Sequence, residues 1–431
     1  MVVVKLLVFA LICLAGWALT MKGVPRAFVG IGRLLGFRMT LSPLSAKRVE
    51  RFKSIRRGFV AFSLLCTAIV MSLFLELYVN RRPLYIRYGD NVQLPAVASW
   101  LNKWVPFAKV RDRAESKDFG FEGQGELPYR KWMSYVEDSG ELERAIADAK
   151  AEDDEELTGR LEAFKAMVAE GRVGFLRTLH PFSPQEQLLD DIEGFPPHLP
   201  FQWGKPFLGT DFEGKELLSQ LAYGFRVSIS FALVVAFFGY LIGVTFGAVM
   251  GYFGGWIDIL LQRFVEVWSA MPFLFVMMIL ASIMNPSFWV LCGMLIVLSA
   301  WLGITYTMRG EFYREKARDY VQAARSIGVG APTIMRKHIL PNAMVPIVTY
   351  LPFSIVGFIT VLVSLDFLGF GLPVSEPSWG RILRQGQENV VSFRFLIYEP
   401  VIAFAGTLFC VVTIGEAVRE AFDPKKYARL R

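Results

Sequence analysis

Residues able to do covalent chemistry are scarce in this chain and badly spaced for it. Cys13, Cys66, Cys292 and Cys410 all lie in apolar runs with no Cys-x-x-Cys pair, so neither a disulfide framework nor a thiolate metal site is indicated. His180, His198 and His338 are too scattered for an imidazole metal cluster. No Gly-x-x-x-x-Gly-Lys-Ser/Thr phosphate loop occurs, nor His-Glu-x-x-His or Gly-x-Ser-x-Gly. Glu76, Glu266 and Glu416 fall near the ends of apolar stretches, whereas a proton-coupled carrier places acids at mid-bilayer. The reading is a passive pathway whose energy comes from elsewhere.

The stretch with a chemistry of its own is Arg309–Asn342, where seven Lys or Arg face three Asp or Glu between two apolar runs. Its chemistry is docking. Ala323 and Ala324 are small helix formers, and Gly328 follows Ala324 at one helical turn. Gly328 and Gly330 permit a helix stop and a bend. Pro332 suits the opening turn of a second helix, and Pro341 ends or kinks it. Two short helices with a small-residue face result, a surface that a partner can approach closely; an ordinary basic loop is the plain alternative.

The elements that position this loop read as membrane spans. The chain has 431 residues, 54% hydrophobic and 20% charged, with a mean hydropathy of +0.41 and apolar runs of spanning length. The net charge of +7 fits Lys and Arg flanking spans on the cytoplasmic side, so no nucleic acid partner is expected.

Seven spans are expected. Val2–Met21 reads as an uncleaved first helix, with a signal peptide as the competing reading. Between Lys22 and Arg57 stand ten basic residues and one acid, Glu50, so within residues 1–57 the helix has its N-terminus outside and the basic segment after it stays on the cytoplasmic side. Within this stretch, 24–37 is too short and too basic to span and suits the inner surface. Gly58–Val79 follows as the next span. Residues 80–224 form a folded extracytoplasmic insert, in which Glu141–Gly171 reads as a charged helix or helical hairpin with an apolar stripe of Leu142, Ile146, Leu157, Leu161, Phe164 and Met167. Thr210 or Asp211 can cap a short amphipathic helix over 215–223.

The remaining spans, within residues 225–418, are 227–252, 264–284 bent at Pro272, 288–308, 343–365 and 400–417, with a tight inner turn at 254–258, the loop 309–342 and a basic tail at 419–431. Both the loop and the tail land inside, in agreement with their charge. Gly239, Gly243, Gly247 and Gly251 recur every four residues and form one stripe for close helix packing.

Ala323-Ala324, Gly328 and the closure Ile339-Leu340-Pro341 resemble the EAA loop of ABC importer permeases, with Gln322 where that family usually has Glu. Three further stretches are similar to C-type permeases of dipeptide and oligopeptide ABC importers. They are Leu208-Gly209-Thr210-Asp211 through Ser230, Leu365-Asp366-Phe367-Leu368-Gly369-Phe370-Gly371 with Pro377-Ser378-Trp379-Gly380, and Asp423-Pro424. Together the four cover about half the chain in collinear order. The runs 264–272, 368–373 and 415–424 look similar to the microcin C-type peptide permease, whose outer insert also suits 80–224. The added Val2–Met21 helix and the Glu141–Gly171 segment depart from that pattern.

The resemblance implies an all-α, type I, MetI-like core of six helices plus the extra N-terminal helix, in a multi-pass protein of the bacterial inner membrane. It implies a second permease subunit, two ABC ATPase domains that hold ATP-Mg, and an extracytoplasmic peptide-binding protein. No cofactor, metal or catalytic site is expected on this chain. Gln322, Ala323, Ala324, Gly328, Leu340 and Pro341 are expected to dock the ATPase, and Gly239, Gly243 and Gly247 to pack helices near the path. A permease for nickel or another small solute is the alternative within the family, and a membrane scaffold or channel the alternative outside it.

Overall fold

A computed structural model describes residues 16–17 and 43–422, apart from 106, 108–109, 122–124, 190–191, 193 and 203–204. Most of the Val2–Met21 helix, the basic stretch 22–42 and the Asp423-Pro424 tail lie outside the described residues. The chain divides into two units: residues 71–222, and the described residues of 14–70 and 223–431.

Helix α1 (Pro43–Ser54) leads into α2 (Arg56–Leu73), the first described span. The insert adds a small sheet to the expected all-helical plan. Tyr85-Ile86-Arg87-Tyr88 alternates apolar and polar residues and forms β1, which pairs antiparallel with β2 (Asn91–Gln93) and β3 (Val173–Leu176) in the order β2-β1-β3. Gly89, left-handed at φ +59°, makes the two-residue turn between β1 and β2.

Between β2 and β3 lie α3 (Pro95–Trp104), α4 (Tyr129–Glu137), α5 (Ser139–Ala151) and α6 (Glu155–Ala169). The charged segment is therefore a helical hairpin, opened by Asp138 accepting from the Gly140 N–H and Asp154 from the Leu157 N–H. Its stripe is core: Leu142, Ile146, Leu161 and Phe164 are buried with Ile86, Phe119 and Trp132. Trp132 meets Phe119 and Phe164 edge-on at 6.1 and 5.9 Å. Lys165–Glu143 (2.7 Å) and Lys150–Glu162 (2.8 Å) join the two helices outside. Such exposed pairs contribute about 0–1 kcal/mol each, against about 1.5–3 for each buried large side chain, so the apolar face holds the hairpin.

The second unit carries the spans. Helix α7 (Leu217–Phe253) is continuous, so the expected short amphipathic helix and the next span are one element of 37 residues. At 1.5 Å per residue it is about 55 Å long and outreaches a bilayer core of about 30 Å. Glu216 caps it, accepting from the Leu218 and Ser219 N–H groups; Asp211 instead braces the preceding turn through the Glu213 and Lys215 N–H groups, and Thr210 accepts from the His198 N–H. Burial pushes the Asp211 carboxyl above the usual carboxylate range.

Only Gly254 and Gly255, both at positive φ, make the inner turn; Trp256 to Asp258 already belong to α8 (Gly255–Ser269). That helix meets α9 (Phe273–Met284) at 70°, with Pro272 at the break. Helix α10 (Phe288–Leu295) continues through a π-helical segment, Ile296–Ala300, and meets α11 (Leu302–Lys316) at a 44° bend. The widened turn is stabilised from outside, because the Trp268 indole donates to the Val297 and Leu298 carbonyls at 3.1 and 3.2 Å. The remaining long helices are α13 (Met344–Leu368) and α15 (Phe395–Phe422), which contain Pro352 and Pro400. Four continuous helices and two bent pairs make up to six spans among the described residues.

The glycine stripe of α7 lies against the end of the π-helical segment and α11. A Cβ at Gly239 would stand 2.7 Å from Ala300 Cβ, and one at Gly247 would stand 2.6 Å from the Thr305 carbonyl oxygen. At Gly251 it would meet the Arg309 carbonyl at 2.5 Å, and at Gly243 the Trp301 carbonyl at the same distance. Backbone faces backbone there, and nothing can turn away. Gly247→Ala is therefore expected to cost about 1–3 kcal/mol. Gly406→Ala in α15, where an added Cβ meets nothing within 4 Å, is expected to be neutral. Thermal unfolding of the two purified variants in detergent checks the pair; equal melting temperatures would remove the stripe from the packing.

Candidate functional site

The Arg309–Asn342 segment folds between the end of α11 and the start of α13. After α11, helix α12 (Asp319–Ser326) has Asp319 in its first turn and Arg325 in its last, each matching the helix dipole. It ends in a Schellman turn: the Gly328 N–H donates to the Arg325 carbonyl and the Val329 N–H to the Ala324 carbonyl. Gly328 takes φ +81°, the left-handed conformation that this stop demands. A short turn, Ala331–Thr333, then widens into a π-helical segment, Ile334–Ile339, before Pro341 and the start of α13.

One face of α12 is spent inside the chain. Val321 and Ala324 (6% exposed) join Tyr252, Met308, Phe312, Ile334 and Ile339 in one apolar cluster, with Leu340 half-buried against it. The opposite face carries Gln322, Ala323, Arg325, Ser326 and Ile327, all exposed, and Gly328 and Pro341 are exposed beside them. Of the six expected docking residues, Gln322, Ala323, Gly328 and Pro341 thus lie on the surface, while Ala324 and Leu340 face the chain's own core. Ile327, 81% exposed at the helix C-terminus, was not singled out from sequence. Its signal is an aliphatic residue directly before the stop glycine.

Polar clamps fix α12 to its neighbours. The Gln322 amide donates to the Lys316 carbonyl at 2.9 Å. A carboxylate has no hydrogen to donate, which gives Gln a physical reason to stand at this position. The Tyr320 hydroxyl donates to Glu315 at 2.8 Å and accepts from the Asn342 amide at 3.1 Å, linking the end of α11 to the approach of α13. Burial, and then the bond to Glu315, push the Tyr320 phenol up, so it stays a donor. Arg309 grips Asp258 with two bonds of 2.6 and 2.7 Å, joining α11 to α8. These bonds tie α12 to α11 and to the approach of α13, and α11 in turn to α8.

At the C-terminal end of α13 a second polar knot closes the loop that follows it. Asp366, 6% exposed, accepts from the Leu372 N–H at 2.6 Å and from the Ser378 hydroxyl at 2.5 Å. Arg381, on α14 (Trp379–Glu388), donates to the carbonyls of Leu372, Pro373, Val374 and Glu376 at 2.8–3.1 Å. Trp379 is buried, packed where a Cβ on Gly224 would stand 2.8 Å from its ring. Arg263 and Glu266 form an i,i+3 ion pair at 2.7 Å. Asp366 stood in a family-like stretch without a role of its own, and Arg381 was not singled out from sequence. The available signal is an acid in the last turn of a span, followed by Gly371 and Gly380, since a Cβ at Gly380 would press within 2.7 Å of Asp366 Cβ.

Residues 243–426 match the family model described as the binding-protein-dependent transport system inner membrane component. The chain is 34% identical over 398 residues to the peptidoglycan transport system permease protein YejE of Agrobacterium fabrum, covering 90% of this chain and 95% of that one. It is 35% identical to the inner membrane ABC transporter permease protein YejE of Escherichia coli, over 90% and 98% of the two chains. A third relative, the oligopeptide transport system permease protein OppC of Haemophilus influenzae, is 34% identical over 52% of this chain and 72% of that one. With near full-length similarity and up to six spans behind the matched segment, this chain is a multi-pass inner-membrane protein of the family of binding-protein-dependent transport system inner membrane components.

Proposed function

We propose that this chain is a permease subunit of an ATP-driven ABC importer that moves peptides across the inner membrane. The observation that carries this is α12: Gln322, Ala323, Arg325, Ser326 and Ile327 are exposed, while Val321 and Ala324 pack against α7 and α11 residues and Gln322 and Tyr320 bond Lys316 and Asn342. The oligopeptide and peptidoglycan solutes in the relatives' descriptions support a peptide-bearing substrate; microcin C-like peptides fall within that class. The energy-coupling chemistry belongs to two partner ATPase domains holding ATP-Mg, and this chain acts without a catalytic site of its own.

In this reading a second permease completes the path, and a binding protein delivers solute on the side of the insert 80–224. Closure of the ATPase pair pushes α12. Because Ala324, Val321 and the Tyr320–Glu315–Asn342 clamp leave α12 little independent motion, the push rotates the spans between inward- and outward-open states. Docking falls to Gln322, Ala323, Gly328 and Pro341 directly, with Ala324 and Leu340 setting the helix in place.

Cysteine cross-linking tests the reading. Ala323 is the position to use, since Ala324 faces inward. With Cys13, Cys66, Cys292 and Cys410 replaced, Ala323→Cys is expected to cross-link to a single-cysteine ATPase subunit with a yield that changes on adding ATP. Absence of cross-linking along the whole exposed face of α12 in an assembled complex would return the chain to the scaffold reading.

A further inference from the structure

Among α7, the π-helical bend after α10, α11 and α13 lies a cavity of about 520 Å³, within the usual range of about 300–1,000 Å³ for small-ligand sites. Its polar lining consists of hydroxyls: Tyr240, Ser299, Thr307, Tyr350 and Ser354. No lining side chain carries a formal charge. The Tyr240 and Ser354 hydroxyls bond each other at 2.8 Å across α7 and α13. Among the described residues, those of Ser299 and Tyr350 have no partner in the chain. Leu295, Ala300, Ile304, Phe358 and Val361 supply its apolar wall; Gly303 and Gly357 also line it, and a Cβ at either would meet nothing within 4 Å. The wall is therefore open to close approach by another backbone.

We propose that this cavity is a peptide-backbone subsite of the translocation path, a step that rests on the permease reading above. A peptide's side chains vary, but every residue except proline offers one N–H and one C=O. Hydroxyls alone among uncharged side-chain groups both donate and accept through one rotating atom, so they serve either amide group in any register. A fixed charge here would select for or against charged side chains, because Coulomb energies rise as water is excluded. The uncharged lining thus makes the path indifferent to side-chain sign and leaves that selection to other components.

The inference is tested by putting a charge into the cavity after assembly. Ser354→Cys is made in the chain with its four native cysteines replaced, and the importer is reconstituted in proteoliposomes. The thiol is then tagged with an anionic or a cationic methanethiosulfonate. Uptake of alanine-lysine-alanine is compared with that of alanine-glutamate-alanine, relative to the untagged variant. The anionic tag is expected to raise the lysine-to-glutamate uptake ratio by at least about tenfold, and the cationic tag to lower it similarly, as charges meeting at close range require. Tags that slow both peptides equally would overturn the subsite, as would a thiol that stays unmodified because the second permease fills the cavity. If the untagged Ser354→Cys importer is inactive, Tyr350→Cys, at a half-exposed position, carries the same comparison. Loss of ATP-driven uptake of both peptides by the unmodified importer would instead defeat the permease reading.

Discussion

Replacing Ile327 with aspartate is expected to leave the chain folded and to lower ATP-driven peptide uptake by at least about tenfold, a loss of about 1.4 kcal/mol or more at the docking surface. Ile327 is 81% exposed and outside the apolar cluster that holds α12, so its change costs the fold only the small dipole penalty of a carboxylate at a helix C-terminus, about 0.3–1 kcal/mol. An isoleucine left in water at the end of a clamped helix is suited to burial by a partner, where its side chain contributes about 1.5–3 kcal/mol. Aspartate forfeits that burial and adds a carboxylate to desolvate. Uptake and peptide-stimulated ATP hydrolysis in proteoliposomes measure the effect, with thermal unfolding as the control on folding. Val321→Asp makes the contrast: Val321 is fully enclosed, and its replacement is expected to lower the melting temperature as well. Normal uptake by Ile327→Asp would separate this end of α12 from the ATPase.

The spans were legible because bilayer length and apolar composition leave few alternatives; all six expected within the described residues correspond to long helices or bent pairs. The stop at Gly328 was equally plain, since only a residue free to take positive φ fits there. What the sequence hid was which side of an element its own chain covers. Ala323 and Ala324 are identical in type, yet one faces solvent and the other the cluster around Phe312. Periodicity gives relative faces, and only packing assigns them. The bend at Pro272 was expected from the proline, but the one at Trp301 follows a π-helical segment held by indole bonds from Trp268 to Val297 and Leu298, contacts across 29 and 30 residues of sequence with no local signature. The strands of the insert, three to four residues each, are too short for alternation to stand out from the surrounding loops. Asp366 was hidden for a related reason: an acid at the end of a span reads as interfacial until the loop folds back over it.

That loop should give the largest stability effect in the chain. Asp366→Ala is expected to destabilise the outer end of α13 by several kcal/mol, because it strands two buried donors at once. The Leu372 N–H and the Ser378 hydroxyl each lose a carboxylate oxygen within 2.6 Å, and an unpaired buried donor costs about 1–3 kcal/mol. Against a typical total of about 5–15 kcal/mol, such a loss is large. Asp366→Asn should cost less, since its remaining oxygen still accepts from Leu372 and the Ser378 hydroxyl can rotate to accept from the new amide. Arg381→Lys should fall near Asn in severity, because an ammonium cannot span the four carbonyls that the guanidinium fork reaches. Thermal unfolding in detergent, with limited proteolysis across residues 369–378, ranks the three variants. The order Ala worst, then Asn and Lys, follows from counting stranded donors and acceptors. A melting temperature for Asp366→Ala equal to that of the unmodified chain would mean that water reaches this carboxylate's partners and that the knot is not closed.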